Sequence, residues 1–297
     1  MASPYVRRHR LAKELRRLRE ERGLTTDELG RLIYCNRTKI SKLENAQIRP
    51  DLGEVVSILK ALDVTGREYK KIFELAHAAS VKHWWDKIGN TMGPRQRLYA
   101  DLESGAKTIR SYNQTGIPAA LQTREFIDAL IEIDRADGPL EYRPERMIEA
   151  RLRRQKHLLS PEGPTYEAVL DECMIYRLGV PREVMRAQLR HVVDVVSAEP
   201  RITLRVLRYN AYRQGVLMPQ TSFSLYTFPG KSDPPMTAVH TVTADLVFTE
   251  RRDVARYTRD YEWARAAALS PAESLSFLAH VAEELDERKE PPHDREV

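Results

Sequence analysis

The chain has 297 residues, enough for about two domains at roughly 150 residues each. Its charge is uneven: residues 1–50 hold 13 Lys and Arg against 6 Asp and Glu, a net +7, whereas the whole chain is +5 and the other 247 residues therefore sum to −2. A basic excess confined to one end attracts phosphates and points to nucleic acid, while two distant cysteines, Cys35 and Cys173, support neither a disulfide framework nor a cysteine-rich zinc site. Arg7, Arg8 and Arg10 are not followed by the apolar core of a signal peptide, and no apolar run of about 18 residues occurs, so the expectation is a soluble protein of the cytoplasm, acting at the nucleoid and away from membranes.

Leu11, Leu15 and Leu18 predict a first helix ending near Gly23. By itself RRHRLAKELRRLREER reads equally well as a solvated helix face. The segment after it decides the matter. Residues 24–50, LTTDELGRLIYCNRTKISKLENAQIRP, have the spacing of two short helices joined by a tight turn. Leu29 and Ile33 form the inward stripe of one, Ile40 and Leu43 that of the other, and Tyr34, Cys35 and Asn36 leave room only for a turn. Thr25 with Glu28 makes a capping box, and Asn36 is a good N-cap. With Ile40 and Leu43 inward, the 3.6-residue period turns Arg37, Thr38, Ser41 and Lys42 outward, with Lys39 at the edge.

This stretch resembles the helix-turn-helix of the phage repressor and Cro (XRE) family of transcription regulators. The resemblance runs through Thr25 to Glu28, Leu29, Ile33, Asn36, Arg37 to Lys42 and the closing Leu43-Glu44-Asn45. Where that family usually has Gly, this chain has Tyr34 in the turn and Ala46 after the second helix; either is strained if its φ is positive. The resemblance implies a double-stranded DNA operator as partner, base contacts from Arg37, Thr38 and Lys42, phosphate contacts from Thr26, Lys39, Asn45 and Arg49, and a homodimer on two half-sites.

Beyond Arg49-Pro50, Leu52, Val55, Val56, Leu59 and Leu62 predict a fourth helix, and Tyr69, Ile72, Phe73 and Ala76 a fifth from about 67 to 80. Trp84-Trp85 followed by Gly89, Asn90, Gly93 and Pro94 reads as a linker. Helices are expected over 99–112, 124–133 and 143–159, a strand over 165–170, and a helix from Pro181 to about Ser197. Past Pro200 the period changes to two, at Ile202–Leu207, Phe223–Phe228 and less regularly 237–249, which predicts a small sheet. Two helices, from Arg252 to Leu269 and from Ser270-Pro271 onward, close the chain. The expected fold is mainly α with a C-terminal α+β part: a five-helix DNA-binding domain over 1–80, a linker over 81–95, an α+β regulatory or interaction domain over 96–288 and a frayed tail over 289–297.

Several elements of the expected second domain form a pattern of their own: Tyr99 with Leu102-Glu103, Gly116-Ile117-Pro118-Ala119-Ala120-Leu121-Gln122-Thr123, Arg151 with Arg154-Gln155, and Leu170-Asp171-Glu172. They resemble a domain of unknown function that follows this helix-turn-helix in actinobacterial regulators, where Gly is usual at Ala119. The resemblance implies architecture and context and carries no ligand with it.

Other constellations are weaker. Trp84 and Trp85 are candidate stacking surfaces for a ligand, although adjacent tryptophans at a domain junction are first of all packing anchors. Asp171-Glu172 is explained as well by a strand end running into a helix cap as by an acid pair. The eight histidines show no metal-ligand spacing, and there is no glycine-rich phosphate loop or nucleophile elbow. No catalytic residue, metal or cofactor is assigned, and an enzyme is not expected. The sequence therefore reads as a sequence-specific DNA-binding transcription regulator whose C-terminal domain senses a small-molecule signal or binds a partner. The alternative is an antitoxin-like or scaffold protein that binds a small protein and autoregulates its operon.

Overall fold

A computed structural model describes residues 3–177, 179–211 and 219–287; the tail over 289–297 lies outside them. Five helices open the chain: α1 (Pro4–Glu21), α2 (Thr26–Leu32), α3 (Arg37–Glu44), α4 (Leu52–Ala61) and α5 (Gly66–Ser80). Four of the five starts are capped locally, while Thr65 before α5 makes no side-chain cap bond. Ser3, Thr25, Asn36 and Asp51 accept hydrogen bonds from first-turn amides of α1 to α4, and the Thr25–Glu28 capping box is complete. The apolar stripes meet in one core of Leu11, Leu15, Leu18, Leu29, Ile40, Leu43, Val55, Ile58, Leu59, Leu62, Ile72 and Ala76. Such burial is the main stabilising contribution to short helices that would be marginal alone.

The helix ends show why the turns are so tight. After α1, Gly23 at φ +65° closes a paired motif in which Leu24 N–H reaches Arg19 O and Gly23 N–H reaches Glu20 O. The same pair of bonds ends α2, α3 and α4, but the left-handed residue there is Tyr34 (φ 55°), Ala46 (φ 57°) and Asp63 (φ 50°). The two departures from glycine noted in the sequence thus keep the turn and adopt the strained conformation. Tyr34 is fully exposed, so no side-chain burial offsets that strain. Tyr34→Gly is expected to stabilise the protein by about 1 kcal/mol. Thermal unfolding of the two proteins side by side measures this, and an unchanged or lower midpoint would refute it.

The stretch 81–95 is more structured than a bare linker: it holds α6 (Trp84–Ile88), a 3₁₀ turn over Gly89–Met92 and the start of α7 (Pro94–Glu103). Trp85 is buried here, and this burial orders the segment despite its turn-forming residues. The chain groups into two compact units. One comprises Met1–Gly89 with Arg97–Ala106 and Phe228–Pro234; the other comprises Asn90–Gln96, Lys107–Thr227 and the chain from Pro235. In the first unit Arg10 Nη1 lies 3.0 Å from the buried carboxylate of Asp233, a residue far along the sequence.

The second unit is built on β1 (Thr108–Asn113), α8 (Arg124–Asp137), α9 (Pro144–Leu158), β2 (Thr165–Asp171), α10 (Glu172–Tyr176), α11 (Arg182–Ala198), β3 (Ile202–Leu207), β4 (Phe223–Thr227), β5 (Met236–Val239), β6 (Leu246–Phe248), α12 (Arg251–Ala267) and α13 (Pro271–Glu287). Its six-stranded sheet has the order β3-β2-β1-β4-β5-β6. The first three strands are parallel, and β4 to β6 add antiparallel on the other side of β1. One expectation fails here. The helix read over 99–112 ends at Glu103, and Thr108–Asn113 is the strand at which the sheet changes from parallel to antiparallel. Ser104-Gly105 interrupts the helix, and pairing on both edges of β1 outweighs local propensity.

Candidate nucleic-acid interface

Gly30 sets the angle between α2 and α3. A Cβ placed there would stand 2.6 Å from the Cys35 carbonyl oxygen, so the turn can pack onto α2 only over a glycine. The sequence reading did not single out this residue, although a glycine inside a capped helix is itself a signal of close backbone approach. The Asn36 side chain then accepts the Lys39 amide at 2.8 Å and starts α3. Ile40 and Leu43 face the core, and Arg37, Thr38 and Lys42 are exposed together on the opposite face. Among the described residues neither Arg37 nor Lys42 has an ion-pair partner.

The other predicted residues stand around this face in varied states. Thr26 is half-buried at the first position of α2. Glu28 nearby is held below the usual carboxylate range by the Thr25 backbone N–H and hydroxyl. Asn45 is exposed, donating to Ser41 O at 2.8 Å and accepting from Arg16 Nη2 at 2.7 Å. Lys39 is ion-paired with Glu54, which raises its pKa. Arg49 is paired with Asp86 on α6, and that carboxylate also receives Arg97 at 3.4 Å and the His83 amide at 2.8 Å. Two predicted phosphate contacts are therefore occupied by acids of the same unit. Asp86→Asn keeps the bond from the His83 amide but removes the charge opposite Arg49. It is expected to strengthen DNA binding to all sequences and to steepen the salt dependence by about one unit. Titrations over a salt series in wild-type and Arg49→Ala backgrounds check this, because the gain must vanish without Arg49.

Of the two tryptophans, Trp85 is packed inside and Trp84 is half-buried. Trp85 donates from Nε1 to Asp101 Oδ1 at 2.8 Å and stacks on His83 at 4.6 Å, with Trp84 edge-on at 5.3 Å. Burial also lowers the His83 pKa. Asp171 and Glu172 likewise have structural partners. Asp171 caps α10 by accepting the Cys173 amide at 2.9 Å and takes the Tyr112 hydroxyl at 2.8 Å, an arrangement that with burial raises the Tyr112 pKa. Glu172 accepts from Arg208 Nε at 2.7 Å and Tyr209 N–H at 2.8 Å.

In the second unit, glutamines pin the loop Gly116–Thr123 after β1. Gln155 donates to the carbonyls of Ala119 and Gln122, Gln188 donates to that of Leu121, and Gln122 donates to that of Ile117, all within 2.6–2.8 Å. The sequence elements that stood out over 116–123 and 151–155 thus meet in space. No group of His, Cys, Asp and Glu able to hold a metal ion occurs among the described residues, and no described helix is long and apolar enough to cross a membrane.

Two known families match the chain. A family model described as a helix-turn-helix domain matches residues 10–70, and one described as a domain of unknown function, DUF5753, matches residues 96–280. The second match includes the segments Arg97–Ala106 and Phe228–Pro234 of the first unit. No curated protein and no solved structure matches the chain.

Proposed function

The chain belongs to the DUF5753 family and carries a helix-turn-helix DNA-binding domain ahead of that region, and we propose that it is a sequence-specific transcription regulator of the XRE kind. The observation that carries this reading is the exposed face of α3, where Arg37, Thr38 and Lys42 stand side by side and, among the described residues, no acid is paired to Arg37 or Lys42. In the proposed complex α3 enters the major groove, with Arg37 bonding guanine through two donors and Thr38 touching a thymine methyl or a base edge. Asn45, Thr26 and the start of α2 meet phosphates, and Lys39 and Arg49 join them by exchanging their carboxylate partners for phosphate oxygens. One α3 helix covers only a few base pairs. The protein therefore works as a homodimer on two half-sites about one helical turn apart. The DUF5753 region, with its mixed sheet, supplies the regulatory surface.

Mapping the bound sites of the full chain across its genome tests the reading. The expected result is a two-fold-symmetric motif whose binding by purified protein weakens steeply with salt and is lost in a scrambled site. Binding with no sequence enrichment would overturn it.

A further inference from the structure

Helix α12 has two unlike faces. Val254, Tyr257 and Tyr261, at i, i+3 and i+7, turn toward the sheet, where the Tyr257 ring lies 5.1 Å from that of Phe223 and Tyr261 is buried. On the opposite face Arg252, Arg256 and Arg259, at i, i+4 and i+7, are all exposed. Between them lies Ala255, exposed as well.

Among the described residues none of these three arginines pairs with an acid. Their neighbours do: Arg265 of the same helix meets Glu167 at 2.8 Å, and Arg110 of β1 meets Glu262 at 2.8 Å. Asp260 follows Arg256 by four residues, the spacing at which Arg124 pairs with Asp128, yet it is half-buried and forms no such pair. The stripe also runs against the charge of its surroundings, since the chain after residue 50 sums to −2.

We propose that this stripe is a second DNA contact, in which α12 binds backbone phosphates of duplex DNA outside the bases read by α3. Seven residues of helix rise about 10 Å, and over that length a duplex carries about six phosphates. An acidic protein fits less well. Protein interfaces are anchored by aromatic and apolar side chains, whereas this face offers three guanidinium groups and one alanine. Phosphate contacts carry no sequence information, so the stripe adds affinity and salt dependence without altering base preference.

The inference goes beyond the reading of α3 and rests on it only for the identity of the polyanion. Binding of the full chain to a duplex several helical turns long is titrated between about 50 and 200 mM salt. The triple variant Arg252→Gln, Arg256→Gln, Arg259→Gln is expected to flatten the salt slope by about two to three units, since each phosphate contact contributes about 0.9. Its ranking of single-base operator variants should stay that of the wild type. Arg252→Lys, Arg256→Lys, Arg259→Lys should keep the slope, because a point charge suffices for a phosphate. As a control, Arg143→Gln, Lys156→Gln, Arg177→Gln removes the same charge from exposed positions scattered over other elements, and its slope should change by less than about one unit. An equal drop in this control would mean a diffuse field and overturn the contact. An unchanged slope in the stripe variant overturns it too and leaves α3 untouched; retention of polyglutamate by the wild type but not by that variant would then give the stripe to an acidic protein. Failure of the wild type to bind any duplex overturns both readings together.

Discussion

Glu44→Ala should cost the DNA-binding helices about 3–5 kcal/mol, the expected loss when one partner of a buried ion pair is removed. Glu44 sits at the last position of α3, where the helix dipole disfavours an acid. It is held there by Arg19 of α1, whose Nε and Nη2 meet its two carboxylate oxygens at 2.7 and 2.8 Å in the parallel-fork geometry. The carboxylate side chain is 3% exposed and that of Arg19 11%. Truncation therefore leaves a largely buried guanidinium with the Leu24 carbonyl, which Nη1 reaches at 2.7 Å, and a long contact of 3.5 Å to the exposed Glu20 carboxylate. Hydrogen exchange of α3 amides in the full chain reads the local loss. A double replacement, Arg19→Met with Glu44→Leu, should recover most of it, since a well-packed apolar pair often substitutes for a buried ionic one. A drop below about 1 kcal/mol in Glu44→Ala would mean that the pair behaves as a surface bridge.

Arg37→Ala should leave stability within about 0.5 kcal/mol, as for surface substitutions generally, yet weaken the cognate operator by about 1–3 kcal/mol and relax preference at one base pair. The two effects separate because Arg37 is exposed and makes no ion pair among the described residues. Lys39 is the internal control: Glu54 already holds it, so a phosphate gains its charge only by displacing that carboxylate. Lys39→Ala should accordingly weaken binding less than Arg37→Ala and equally for all sequences. Competition against single-base operator variants decides the matter. Unchanged affinity and unchanged base preference in Arg37→Ala would remove it from the readout.

What could be read in advance follows the range of the forces involved. The starts of α2 and α3 were legible because caps and stripes act over three or four residues, and Thr25, Glu28, Asn36, Ile40 and Leu43 lie within that reach. The strand β1 was not. Thr108–Asn113 is fixed by β2 and β4, whose residues lie far along the chain, and no local period announces it. The candidate DNA face divides in the same way. Exposure of Arg37, Thr38 and Lys42 follows from helical period, whereas the capture of Arg49 by Asp86 depends on tertiary placement that spacing does not encode. Trp85 is buried at the junction, where a large apolar ring contributes most, while Trp84 is only half-buried.

The pairing of Arg10 with Asp233 has a consequence during synthesis. The helices around Leu11 to Ala76 have their whole core once α5 has left the ribosome, but Phe228–Pro234, part of the same unit, is translated about 150 residues later. At about 5–20 residues per second that interval is roughly 8–30 s, long compared with the folding time of small helical domains. The nascent chain thus carries a formed helix-turn-helix, with Arg10 still lacking its acid, for much of the time the ribosome needs to finish the message.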